Sequence, residues 1–103
     1  MSYSIVITTC GNRDEAERLA SQMVKNQLAA CVQLSSITSY YTWDGKFNTE
    51  PEFRLIIKTR KGLYDQVEQF IKKNHSYEVP EIVELSIKSG SKEYLDWIDE
   101  VTI

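Results

Sequence analysis

A chain of 103 residues, 42% of them hydrophobic, is long enough to bury one core without disulfide staples, so one domain over 1–103 is expected. The net charge is −3 and no long basic run is present, which argues against nucleic-acid and anionic-membrane partners. Apolar runs such as Ile5-Val6-Ile7 and Leu55-Ile56-Ile57 fall far short of the roughly 20 residues that span a bilayer, no basic-then-apolar leader opens the chain, and two cysteines make no disulfide framework, so a cytoplasmic location is expected.

Tyr3–Cys10 reads as a strand, β-branched through Ile5, Val6 and Ile7. Gly11 turns the chain. Asn12 is a good helix cap, with Glu15 three residues on as in a capping box. Ala16, Leu19, Ala20, Met23 and Val24 then form an apolar helical stripe, and Asn26, which tolerates the left-handed conformation, is the expected stop.

Cys31–Arg60 reads as a long hairpin. Asp44-Gly45 suits a type I′ turn, which needs positive φ at both central residues. With that two-residue loop, Trp43 faces Lys46, Leu34 faces Leu55 and Val32 faces Ile57, so turn and hydrophobic pattern specify the same register. The leg Cys31–Trp43 would span about 43 Å at about 3.3 Å per residue, more than a domain this small can cover. Its distal half, with Ile37, Tyr40, Tyr41, Trp43, Phe47 and Phe53, should therefore project and be covered by further copies of the chain. The alternative is that Pro51, which lacks a ladder donor, breaks the second leg.

Lys61-Gly62 opens a second helix carrying Leu63, Val67, Phe70 and Ile71, with Asn74 as its stop. Pro80 steers the chain toward a strand over Glu81–Lys88, with Val83, Leu85 and Ile87 on one face. Ser91 caps a short helix with Tyr94, Leu95 and Ile98, and Val101-Thr102-Ile103 is a candidate final strand. The order is βαββαβ plus a C-terminal helix, an α+β ferredoxin-like antiparallel sheet. Right-handed crossovers place the first strand beside the third and fourth, with two helices on one face and the other face bare.

That topology brings Cys10 to the sheet edge from which the His75 loop starts. Cys31 falls at the opposite edge, about 20 Å away, too far for a disulfide with Cys10. A thiolate and an imidazole suit copper or zinc, but two ligands do not close a site. Glu78, Glu81, water or a neighbouring subunit would have to complete it. The bland reading of the pair is a lone loop histidine and a small buried hydrophobe. A second group, Tyr41, Trp43, Glu50, Lys58, Tyr77, Glu78 and Glu81, could line a small-molecule cleft at a subunit junction, or serve as interface packing and ion pairs. No nucleophile–base dyad, phosphate loop or zinc knuckle is evident, so no enzymatic activity is expected.

The blocks Leu28-Ala29-Ala30-Cys31-Val32, Trp43-Asp44-Gly45-Lys46, Glu50, Ile57-Lys58-Thr59 and His75-Ser76-Tyr77-Glu78-Val79-Pro80-Glu81-Ile82 resemble the CutA family, the divalent-cation tolerance proteins, over nearly the whole chain. The resemblance implies a homotrimer tied by its hairpins, a cytoplasmic location and binding of copper or another divalent cation, with Cys10 and His75 at positions linked to copper. Two departures stand out: Ser76 replaces the proline usual after the histidine, and Asn74 stands where some members carry a second histidine. The competing expectation is a sensor resembling the trimeric PII proteins, with a ligand between subunits near Lys58 and Glu81.

Overall fold

The computed structural model describes residues 2–103. Strand β1 (Tyr3–Cys10) leads to helix α1 (Arg13–Lys25), then to β2 (Cys31–Trp43) and β3 (Lys46–Arg60). A 3-10 turn (Lys61–Leu63) opens α2 (Tyr64–Asn74), followed by β4 (Val83–Ile87) and α3 (Lys92–Val101). The four strands form one antiparallel sheet in the order β2-β3-β1-β4, the arrangement expected of the ferredoxin-like pattern.

The hairpin has the register its turn dictates. Asp44 and Gly45 both have positive φ, 54° and 75°, and Trp43 pairs with Lys46, Leu34 with Leu55 and Val32 with Ile57. β3 runs through Pro51 without a break. Pro51 faces Thr38 and lies beyond the end of β1, where Cys10 meets Phe53, so its missing N–H deprives no central ladder. The outer hairpin overhangs the sheet, giving extents of 44 × 25 × 22 Å.

Alternation sorts the sheet into two faces. Val6, Cys10, Leu55 and Ile57 point to α1 and α2, where Ala16, Leu19, Met23, Val67 and Ile71 complete the main core. The opposite face is only partly bare, because α3 folds onto one end of it. There Tyr3, Ala30 and Ile98 are buried among Ile87, Leu95 and Val101. Val83 and Leu85 of β4 remain 46% and 51% exposed on that face.

Two local expectations are corrected. Asn26 is not left-handed (φ −87°); the chain reverses at the next residue, Gln27, with φ 60°. Val101 ends α3 rather than starting a strand, and beyond it Ile103 makes one bond, its N–H to the Gln27 carbonyl at 3.0 Å. No helix among the described residues is long and apolar enough to cross a membrane.

Candidate functional site

β4 pairs with β1 only as far as Ile7, so the last residues of β1 lack a neighbour on that side. The loop after α2 fills the gap. The Nε2–H of His75 donates to the Thr9 carbonyl at 2.7 Å, and Nδ1 accepts the Tyr77 N–H at 3.0 Å. These partners place a ring proton on Nε2. The imidazole is inaccessible to solvent.

Cys10 Sγ lies 3.8 Å from Nε2, as the topology predicts. Burial foremost, with the charges of Glu15 and Glu52, pushes the thiol up to about 12. Cys31 is far from this site: the β3 partners of the two cysteines, Phe53 and Lys58, are five residues apart, and both cysteines are free.

The sequence reading missed the third member. Glu15 caps nothing with its side chain; the cap is Asn12 Oδ1, which accepts the Glu15 N–H at 2.8 Å. The Glu15 carboxylate turns inward. Its Oε2 accepts the Ser76 N–H at 2.8 Å, and its Oε1 accepts the Ser76 hydroxyl at 2.7 Å. Oε2 also stands 3.4 Å from His75 Nδ1. Burial works to raise this carboxyl, but Ser76, His75 and Arg18 together hold it below the usual carboxylate range. A proline at 76 would supply neither donor. Asn74 plays no part here, since its amide donates back to the Phe70 carbonyl at 2.8 Å.

Cys10, Glu15 and His75 thus bring one ligand atom each within 4.8 Å of one another. Two ligands on one tetrahedral ion stand about 3.5 Å apart when its bonds are about 2.3 Å to sulfur and about 2.0 Å to nitrogen. The Sγ–Nε2 distance of 3.8 Å therefore fits, and Glu15 sits on the other ring nitrogen, where metal-bound histidines keep a carboxylate partner. Glu78 and Glu81, named as candidates to complete this site, lie elsewhere.

They line a separate cleft of about 640 Å³ between the outer hairpin and the loop after His75. The cleft gathers Tyr41, Trp43, Glu50, Tyr77, Glu78 and Glu81, together with Glu52 and Tyr40. Tyr77 donates its hydroxyl to Glu52 at 2.9 Å. Lys58 does not belong to it. It stands six residues along β3 from Glu52, about 20 Å away, with its ammonium over the Tyr94 ring at 5.5 Å.

Residues 4–101 match the model of the family described as CutA1 divalent ion tolerance protein. The chain belongs to this family. It is 40% identical over 98 residues to the divalent-cation tolerance protein CutA of Archaeoglobus fulgidus, covering 95% of this chain and 96% of that one. It is 42% identical over 99 residues to the rice protein CutA 1, chloroplastic, of which it spans 56%. The solved CutA1 structure from Oryza sativa superposes with a TM-score of 0.96 at 40% identity, covering 100% of this chain and 95% of that one. The Archaeoglobus structure, described as a periplasmic divalent cation tolerance protein, gives 0.94 at 39% identity over 96% and 97% of the two chains. Family members thus carry the names of different compartments.

Proposed function

We propose that this chain acts in metal tolerance as a homotrimer that captures copper or a similar divalent cation between Cys10 and His75. The observation that carries the reading is the 3.8 Å approach of Sγ to Nε2 with Glu15 behind the ring. Cys10 would ligate as thiolate and His75 through Nε2, the ring proton passing to Nδ1 and being donated to Glu15 Oε2 in place of the Tyr77 N–H that Nδ1 otherwise accepts. Capture then releases the thiol proton and gives up the Thr9 and Tyr77 hydrogen bonds, so affinity should fall with acid. The bound ion would be sequestered charge rather than a reacting centre. A reducing compartment such as the cytoplasm suits this reading, because Cys10 must remain unoxidised. The overhanging hairpin and the exposed Val83–Leu85 face support assembly.

Titration calorimetry with zinc, and with copper kept reduced, tests the site in buffers of different ionisation enthalpy. Binding with proton release, weakened at least about tenfold in Cys10→Ser and in His75→Ala, is expected. Unchanged isotherms in both variants would refute the assignment. Light scattering with and without metal reports the trimer separately.

A further inference from the structure

We propose that the Tyr77 side chain is the gate through which an ion reaches Cys10 and His75, latched shut by its hydroxyl on Glu52. This rests on the reading of Cys10–His75 as a capture site and adds how that site is entered.

Cys10 and the His75 side chain are both fully buried. An ion cannot meet Sγ and Nε2 until some part of their cover moves. The surrounding walls are not equally firm. On one side runs β1, paired to β3 through Cys10 and Phe53, and its Thr9 carbonyl accepts the Nε2–H at 2.7 Å. On the α1 side, buried Glu15 grips Ser76 by two hydrogen bonds, at 2.8 and 2.7 Å.

Tyr77 closes a third side. Its ring centre lies 4.9 Å from that of His75. Its edge rests on Gly11, the residue after Cys10, where an added Cβ would stand 2.9 Å from the hydroxyl oxygen and 3.3 Å from Cε1. Residues 75–82 run between α2 and β4 in neither helix nor strand, so no ladder holds the ring there. What fixes it is the 2.9 Å hydrogen bond from its hydroxyl to Glu52. Rotation about the Tyr77 Cα–Cβ bond lifts the ring from His75 and Gly11 and leaves the backbone N–H of Tyr77 on Nδ1. All of these contacts lie within one chain, so the latch does not depend on which surfaces copies of the chain share. The ring gives the ion no ligand, so the latch sets the rates of entry and exit together and leaves affinity nearly unchanged.

The test first reads entry without any metal. In a Cys31→Ser background, Cys10 is labelled with N-ethylmaleimide at fixed pH and protein concentration. Tyr77→Phe keeps the ring and removes the latch, and should label about tenfold faster, as loss of one hydrogen bond to a carboxylate implies. Glu52→Ala should do the same, and the two together little more. Ser76→Ala loosens the same loop at Glu15 instead and should label as the background does. Urea below the unfolding transition should leave the rates unchanged, as a local opening requires. Unchanged labelling in Tyr77→Phe, an equal rise in Ser76→Ala, or a rate that climbs with urea as steeply as global unfolding would each overturn the gate. Stopped-flow capture of zinc then separates the two readings. Faster entry and exit in Tyr77→Phe at nearly the same affinity supports a gate on a capture site. Faster labelling with no capture by any variant overturns the capture reading and leaves the gate on the thiol standing. Normal capture with unchanged labelling overturns the gate alone.

Discussion

Glu15 holds both carboxylate oxygens against Ser76 and one of them near His75, tying the start of α1 to a loop 61 residues later. Hydrogen bonds to a buried charged group contribute about 1.5–3 kcal/mol, so Glu15→Ala should cost about that at pH 7, read from denaturant unfolding. The pH dependence has a definite sign. The folded carboxyl sits below its unfolded value, so its contribution is complete above about pH 4.3 and is lost as the pH falls through the folded value. The gap between wild type and Glu15→Ala should therefore narrow below about pH 4; a gap of constant size would mean that Glu15 acts by packing alone. Gly11 shows a second constraint at this scale. A Cβ there would meet the Tyr77 hydroxyl oxygen at 2.9 Å, so Gly11→Ala must displace the ring that donates to Glu52. A loss of about 1 kcal/mol is expected, little of it remaining when Tyr77 is already alanine, as a double-mutant cycle would report. The helix cap was legible because Asn12 and Glu15 are neighbours. The inward turn of Glu15 was not, because its partners are remote in sequence and a glutamate in a first helical turn has a sufficient local explanation in the helix dipole.

At the scale of elements, the Asp44-Gly45 turn fixes thirteen residue pairs along the hairpin. Gly45 has φ 75° with open space around its missing Cβ, so alanine there is opposed by backbone conformation alone. Gly45→Ala should cost about 1 kcal/mol, whereas Asp44→Asn, which also tolerates positive φ, should leave the melting temperature nearly unchanged. An equal loss in both would show that the turn is held by something other than its backbone. The register was readable because the turn chemistry and the hydrophobic pairs agree. The C-terminal residues were misread because Val-Thr-Ile favours a strand locally, while Ile98 and Val101 are drawn into a helix by burial against Tyr3 and Ala30. Of the cleft's lining, Tyr41, Trp43, Glu50, Tyr77, Glu78 and Glu81 were named from the sequence, Tyr40 and Glu52 were missed, and Lys58 was misplaced. Parity puts Lys58 on the same sheet face as Glu50 and Glu52, and its distance along β3, not its face, separates it from them.

At the scale of the whole molecule, the alternation of β4 identified one apolar row without saying what covers it. α3 covers the Ile87 end, and Val83 and Leu85 stay open. An exposed apolar row beside a hairpin that overhangs its own core is a candidate surface for the proposed assembly of copies. Leu85→Asp tests this with little damage to the subunit, because the side chain is already half exposed. The expected outcome by light scattering is a shift from trimer toward monomer, with helix and strand content retained by circular dichroism. Wild-type melting temperature should rise over a hundredfold range of protein concentration, since association stabilises the folded state by mass action, and Leu85→Asp should flatten that rise. A monomeric wild type, or a trimer indifferent to Leu85→Asp, would mean that the β4 row is not where copies meet, and the overhanging hairpin would then be the surface to substitute next.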